Sequence, residues 1–206
     1  MKLITISGLD GSGKSTQLEM IKNSLESKGQ KVFCYHAIRD GFAKKFMDFR
    51  QKYCILCRLF NKCKVKNGEK SVTQASWPKI MLRRIFLMID IIRFKRLRKK
   101  LIAAGYNYLL SDRYFYDSVV NIKYLSKKNK KLPCEKFILK PDVSLYLQTN
   151  PEIIMQRDRK PDQGKKYLED KKKLYDDSAS IWDLKIIDGN SNKEDIFEKI
   201  KKAITT

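Results

Sequence analysis

The segment GLDGSGKST, residues 8–16, directly follows an apolar run, KLITIS, at residues 2–7. It matches the Walker A pattern in full, a glycine followed by four variable residues and then Gly-Lys-Ser. Glycines let the backbone curl so that its N–H groups point inward at phosphate oxygens, and the following helix adds its positive N-terminal end. The sequence therefore predicts a phosphate-binding loop between a buried strand and a helix.

The pattern assigns a task to each residue of this loop. Lys14 is expected to reach the β and γ phosphates of ATP, Ser15 to ligate Mg²⁺, and Thr16 to contact the α-phosphate. The other expected ATP-binding residues are Gly8, Gly11, Ser12 and Gly13. A chance glycine-rich turn is the alternative, but the order of strand, loop and helix argues against it.

Strands and helices alternate along the chain, which indicates an α/β domain with a parallel sheet. The predicted strands are 2–7, 31–36, 106–111, 143–148 and 184–188. Helices are expected from about Lys14, over 80–105, after the third strand, from Pro151 and over 193–204. No repeat or linker is recognisable. Residues 1–206 are therefore predicted to form a single domain, with a basic insert at about 37–79.

The composition of the 206-residue chain combines 42% apolar residues, which excludes a disordered chain, with a formal net charge of +22. This charge is compatible with a polyanionic partner such as phosphorylated small molecules, and it does not favour nucleic acid or an anionic membrane surface as that partner. Lysines on solvated helix faces are the alternative. No apolar run approaches the roughly 20 residues that a bilayer requires. The absence of a signal peptide and the odd number of cysteines, five, predict a cytoplasmic protein.

A second motif, SDRYFYDS at residues 111–118, ends the third strand. Together with GLDGSGKST it resembles the thymidylate kinase family of nucleoside monophosphate kinases. PDVSLYLQTNPEIIMQR (141–157) and IIDG (186–189) are further matches. The resemblance implies a three-layer P-loop kinase fold with a five-stranded parallel sheet and a homodimer. It also implies Mg²⁺-dependent transfer of the ATP γ-phosphoryl group to an acceptor monophosphate, with dTMP as the leading acceptor.

The resemblance also implies roles near the phosphate loop. Asp10 would orient the acceptor phosphate, Asp112 would hold Mg²⁺ through water, and Arg113 would bind the acceptor phosphate or the transferring group. A strand-end ion pair that closes a loop is the alternative for Asp112 and Arg113.

The variable positions of the phosphate loop contain no arginine. The negative charge that develops on the transferring phosphoryl group must therefore be neutralised by basic residues outside the loop. Arg157, Arg159 and Lys160 stand where the family places its mobile lid, at about 157–167. Arg157 and Arg159 are therefore candidate catalytic residues, and Arg157 is also a candidate ATP-binding residue. A solvated basic loop is the alternative.

The acceptor side matches the family less well. Arg39 is a partial match to an Arg-Glu-Pro-Gly motif, and Phe86 would either stack on the base or belong to the core. Asp90 stands where the family has an arginine, so that Arg93 or Arg83, each one turn away, would have to supply the charge. Tyr114 is also assigned to the acceptor side; Ser118 is displaced by one residue.

Two alternatives to the leading function stay open. The first is a kinase of the same fold that acts on a different acceptor. The second is a non-catalytic nucleotide-binding or nucleic-acid-binding protein, which the charge and the basic insert suggest. Within that insert, Cys54, Cys57 and Cys63 are either zinc ligands or buried thiols on a helix, and the absence of a fourth ligand nearby in the sequence favours the thiols.

Overall fold

The computed structural model describes residues 1–37, 41, 75–157 and 160–205. Five parallel strands form one sheet in the order β2-β3-β1-β4-β5. The strands are β1 (Lys2–Gly8), β2 (Val32–His36), β3 (Tyr108–Asp112), β4 (Val143–Gln148) and β5 (Lys185–Asp188). The predicted five-stranded parallel sheet is confirmed.

Six α-helices are present in the described part of the chain. They are α1 (Lys14–Glu26), α2 (Trp77–Ala103), α3 (Phe115–Ser126), α4 (Pro151–Met155), α5 (Gly164–Ala179) and α6 (Lys193–Thr205). A short 3₁₀ helix spans Pro133–Phe137. None of the described helices is both long enough and apolar enough to cross a membrane.

The helices cover both faces of the sheet, which gives the predicted three layers. On one face, α1 and α6 pack against β1 and β4 through a buried cluster that contains Leu18, Ile200 and Leu145. On the other face, α2, α3 and α5 pack against the sheet through a larger cluster that contains Phe94 and Tyr175. Because strand side chains alternate between faces, consecutive strand residues supply the two clusters.

Several boundaries differ from the sequence-based expectation; for example, the long helix predicted over 80–105 spans Trp77–Ala103. β3 starts two residues late, because the Tyr106 amide still donates to the carbonyl of Leu101 at the end of α2. It ends at Asp112, which is therefore a strand residue. The helix predicted from Pro151 is only five residues long, and α5 begins at Gly164, inside the predicted lid. The last residues of that predicted lid are thus helical.

Candidate active site

The phosphate loop connects β1 to α1 at the carboxyl edge of the sheet. Gly8 has φ 150°, and a Cβ at this position would lie 2.7 Å from the carbonyl oxygen of Leu147. Gly13 has φ 99° and occupies the N-cap position of α1. Because glycine has no side chain, it makes no capping hydrogen bond to the first N–H groups of the helix. The first N–H groups of α1 therefore remain available for an anion.

The Lys14 side chain is buried and lies inside this loop. Its Nζ donates to the carbonyl oxygen of Leu9 and to Ser12 Oγ at 3.3 Å. Burial, together with the positive charge of Arg113, lowers the pKa of Lys14 to about 8. The loop thus offers this desolvated amine neutral oxygen acceptors, and phosphate oxygens would offer it an anionic partner.

Ser15 and Asp112 meet where the loop faces the end of β3. Ser15 Oγ donates to Asp112 Oδ2 at 2.5 Å, and His36 Nε2 lies 3.8 Å from the same oxygen. The other carboxylate oxygen of Asp112 is buried without a hydrogen-bond partner among the described residues. An unsatisfied carboxylate oxygen beside a serine hydroxyl fits Mg²⁺, which prefers oxygen ligands and keeps several waters.

No cluster of three or more histidine, cysteine, aspartate or glutamate side chains suited to a metal occurs in the described ranges.

Asp10 is the centre of a charged cluster on the other side of the loop. It forms an ion pair with Arg113, and its Oδ2 accepts a hydrogen bond from the Tyr167 hydroxyl at 2.9 Å. Lys171 Nζ lies 3.4 Å from the same oxygen. Burial raises the pKa of Asp10, but the charges of Lys171, Arg113 and Lys14 outweigh it and hold this pKa well below its usual range. Asp10 is thus a carboxylate at neutral pH.

Arg113 is held in a left-handed backbone conformation, with φ 60°. Its amide donates to the carbonyl oxygen of Ile6 at 3.2 Å, and its own carbonyl accepts from Ser111 Oγ at 3.1 Å. Such a conformation costs on the order of 1–3 kcal/mol in a non-glycine residue and persists where the surroundings fix it. The strain is located at the residue that carries the guanidinium towards Asp10.

Asp117 is a buried residue near the site that the sequence patterns did not identify. Its carboxylate accepts hydrogen bonds from Ser7 Oγ and from the Tyr175 hydroxyl, both at 2.7 Å, and from the Tyr114 amide at 2.9 Å. Asp117 is the third residue of α3, so an acidic residue at helix position N3 was the available signal. It ties the start of α3 to the end of β1.

Arg157 lies directly against the phosphate loop, as expected of an ATP-binding residue. Its Nη1 donates to the carbonyl oxygen of Gly11 at 2.6 Å, and its Nη2 lies 3.5 Å from the carbonyl oxygen of Gly189. Arg39, Arg159 and the three cysteines Cys54, Cys57 and Cys63 lie outside the described residues. The predictions made for them stay predictions.

A cavity of about 170 Å³ lies between α2 and α3, next to the segment that follows β2. Its lining includes Ala37, Arg83, Phe86, Asp90, Ser118 and Asn121. Phe86 thus lies on the wall of this cavity and not in the core. Arg93 Nη1 lies 3.3 Å from Asp90 Oδ1, so the arginine expected to contact the acceptor forms an ion pair with the carboxylate expected to repel it.

The structure corrects the expectation for Tyr114, which is fully buried and lies in the core. Its hydroxyl donates to the carbonyl oxygen of Leu139 at 2.6 Å, and its ring packs against Phe94 and Phe115. Tyr114 is the N-cap of α3 and is not among the residues that line the cavity. An acceptor-binding role for this side chain is not supported.

Three curated proteins are similar to the chain over 98% of its length. A probable thymidylate kinase from Archaeoglobus fulgidus is 24% identical, with 94% of its own length covered. Thymidylate kinases from Mesoplasma florum and Thermosipho africanus are 26% and 24% identical, with 93% and 96% covered. A solved thymidylate kinase from Candida albicans has a TM-score of 0.64 at 20% identity, covering 99% of this chain and 91% of that one. No family profile matches.

Proposed function

Since the chain belongs to the thymidylate kinase family, we propose that it transfers the γ-phosphoryl group of ATP to a nucleoside monophosphate, with dTMP as the leading acceptor. The observation that carries this proposal is the meeting of three elements at one edge of the sheet. These are the phosphate loop with Lys14, the Ser15–Asp112 hydrogen bond, and the Asp10–Arg113 ion pair.

The donor phosphates would bind in the phosphate loop. The free N–H groups at the start of α1 would receive phosphate oxygens, and Lys14 would turn from the Leu9 carbonyl to the β and γ phosphates. Arg157, already in contact with Gly11, is placed to add a second positive charge there. Neutralising charge on the transferring group is most of what such a site must do.

Ser15 and Asp112 are the residues that we propose hold Mg²⁺, Ser15 directly and Asp112 through water. When bound, this ion would neutralise charge on the β and γ phosphates and orient them for transfer.

Asp10 and Arg113 are proposed to position the acceptor phosphate. Arg113 keeps its positive charge, because Asp10 and Asp117 more than offset the effect of burial and raise its pKa. Asp10 is ionised at neutral pH, so it does not act as a general acid. It is instead expected to accept hydrogen bonds and to fix the direction of the Arg113 guanidinium.

The cavity between α2 and α3 is proposed to hold the acceptor nucleoside, with Phe86 against the base. One observation favours a second candidate function, a kinase of the same fold with a different acceptor. The Asp90 carboxylate lines this cavity at the position where the resemblance leads us to expect an arginine.

A cytoplasmic homodimer is a further proposal based on the family. The apolar side chains of Trp77, Met81 and Ile85 are exposed at successive turns of α2, which supports an interface there.

The experiment is an acceptor screen in which ADP release and product formation are measured with ATP, Mg²⁺ and each nucleoside monophosphate. We expect ADP and dTDP from dTMP. Turnover only with another monophosphate would support the second candidate. No turnover with any monophosphate, by protein that binds ATP, would contradict both.

A further inference from the structure

Lys171 is a buried cation beside the proposed reaction centre that none of the sequence motifs identified. It lies on α5, its exposed fraction is 2%, and its neighbours on the same helix face, Leu168 and Tyr175, belong to the core. Its Nζ donates to the Tyr167 hydroxyl at 2.8 Å and lies 3.4 Å from Asp10 Oδ2. A buried ammonium group is costly, so its retention here suggests a role that an apolar residue could not perform.

The charged and titratable groups around Asp10 come from every element that packs against it. They are Lys14 of α1, Arg113 after β3, and Tyr167 and Lys171 of α5, with Asp117 of α3 and Tyr175 of α5 behind them. Burial lowers the pKa of Lys171, and the positive charge of Arg113 also lowers it, whereas Asp10 and Asp117 raise it. The Asp10 carboxylate forms an ion pair with the Lys171 amine.

The balance of charge in this cluster matters for an anionic acceptor. Arg113 and Asp10 alone form a neutral pair, in which the guanidinium is fully compensated. Asp117, the carboxylate behind them, accepts hydrogen bonds from Ser7, Tyr175 and the Tyr114 amide. Lys171 places a second positive charge beside Asp10, so this carboxylate is shared between two cations and compensates Arg113 less completely. This positive charge is needed, because the phosphate loop contains no arginine and the helix position expected to supply one is Asp90.

We propose that Lys171 is a positioning residue that, with Tyr167, holds the Asp10 carboxylate in place and partly neutralises it, which leaves Arg113 free to bind the acceptor phosphate. This inference rests on the proposed function. Lys171 acts through Asp10 and is not itself expected to touch the nucleotides.

Three variants test the proposal. Lys171→Met keeps the length of the side chain and removes its charge, Lys171→Arg keeps the charge, and Lys173→Met removes an exposed charge from the same helix as a matched control. We expect Lys171→Met to raise the acceptor KM and lower kcat, for a combined loss of about tenfold or more, with the ATP KM little changed. Lys171→Arg should recover part of the loss, and Lys173→Met should behave as wild type.

The pH dependence separates positioning from a structural role. Without Lys171, the pKa of Asp10 should rise towards its ordinary value, because the largest attractive contribution to its charged form is lost. The acidic limb of kcat/KM should therefore move to higher pH in Lys171→Met and not in Lys173→Met. A carbon-13 titration of the Asp10 carboxyl measures the same shift without requiring turnover.

The outcomes distinguish the two proposals. If wild type turns over and Lys171→Met keeps both the wild-type pH profile and the wild-type Asp10 titration, the role of Lys171 is refuted. If wild type shows no turnover, the proposed function fails, while the Asp10 titration still decides whether Lys171 holds that carboxylate. If Lys171→Met does not fold, Tyr167→Phe must raise the pKa of Asp10 by a smaller amount, and an unchanged pKa would overturn the inference.

Discussion

The donor side and the acceptor side of this site are built in different ways. The donor side is one continuous segment, residues 8–16, whose geometry follows from glycine backbone conformations and the start of a helix. The acceptor side is assembled from α2, α3, α5 and the segment after β2, so each side chain depends on packing between distant parts of the chain. In a continuous motif, each residue is fixed by the backbone geometry of its neighbours, so the phosphate-binding function limits every position. In a pocket assembled from distant segments, single residues can be replaced without changing the others.

The largest effect is expected on the donor side, from Lys14→Met. Removing the main positive charge on the β and γ phosphates should lower kcat/KM at least about 100-fold with any acceptor. The matched control is Lys22→Met, a half-exposed lysine on the same helix, which should retain full turnover. Steady-state kinetics with saturating acceptor measures both. Residual activity within tenfold of wild type would contradict the assignment of Lys14.

Stability should respond to Lys14→Met in the opposite direction from activity. The pKa of Lys14 is lowered to about 8 in the folded protein, so its charged form is a cost to folding below pH 8. That cost is relieved as the pH rises from about 8 towards the unfolded value of 10.5. Without nucleotide at pH 7, Lys14→Met should therefore be at least as stable as wild type in denaturant unfolding, because the substitution removes the cost of the buried charge.

An intermediate effect is expected on the acceptor side, from Asp90→Asn. The change removes a negative charge from the cavity and releases Arg93 from its ion pair. In a partly exposed site one such charge contributes about 1 kcal/mol, which corresponds to a roughly fivefold lower acceptor KM. The ATP KM is the internal control and should not change. An unchanged acceptor KM would show that this carboxylate does not oppose the acceptor phosphate.

The contrast between a continuous donor motif and an assembled acceptor pocket also explains which features could be predicted from the sequence. The phosphate loop, five strands and helices on both faces follow from local patterns of glycine and apolar residues. The cluster around Asp10 does not, since Lys171 is 161 positions away along the chain and belongs to a lysine-rich stretch that resembles a solvated helix face. Only the packing of α5 turns Lys171 inward while Lys173, two residues on, stays exposed.

The smallest effect should come from Tyr114→Phe, which tests the correction made to the acceptor side. The ring would keep its contacts with Phe94 and Phe115, but the carbonyl oxygen of Leu139 would lose its donor. A buried hydrogen bond of this kind contributes about 1 kcal/mol, so denaturant unfolding should show a loss of about that size. The acceptor KM should stay at the wild-type value, because the Tyr114 hydroxyl is buried in the core, where it donates to the carbonyl oxygen of Leu139. A several-fold higher acceptor KM at unchanged stability would instead show that Tyr114 contributes to acceptor binding. In that case the motif at residues 111–118 would define the acceptor side as directly as residues 8–16 define the donor side.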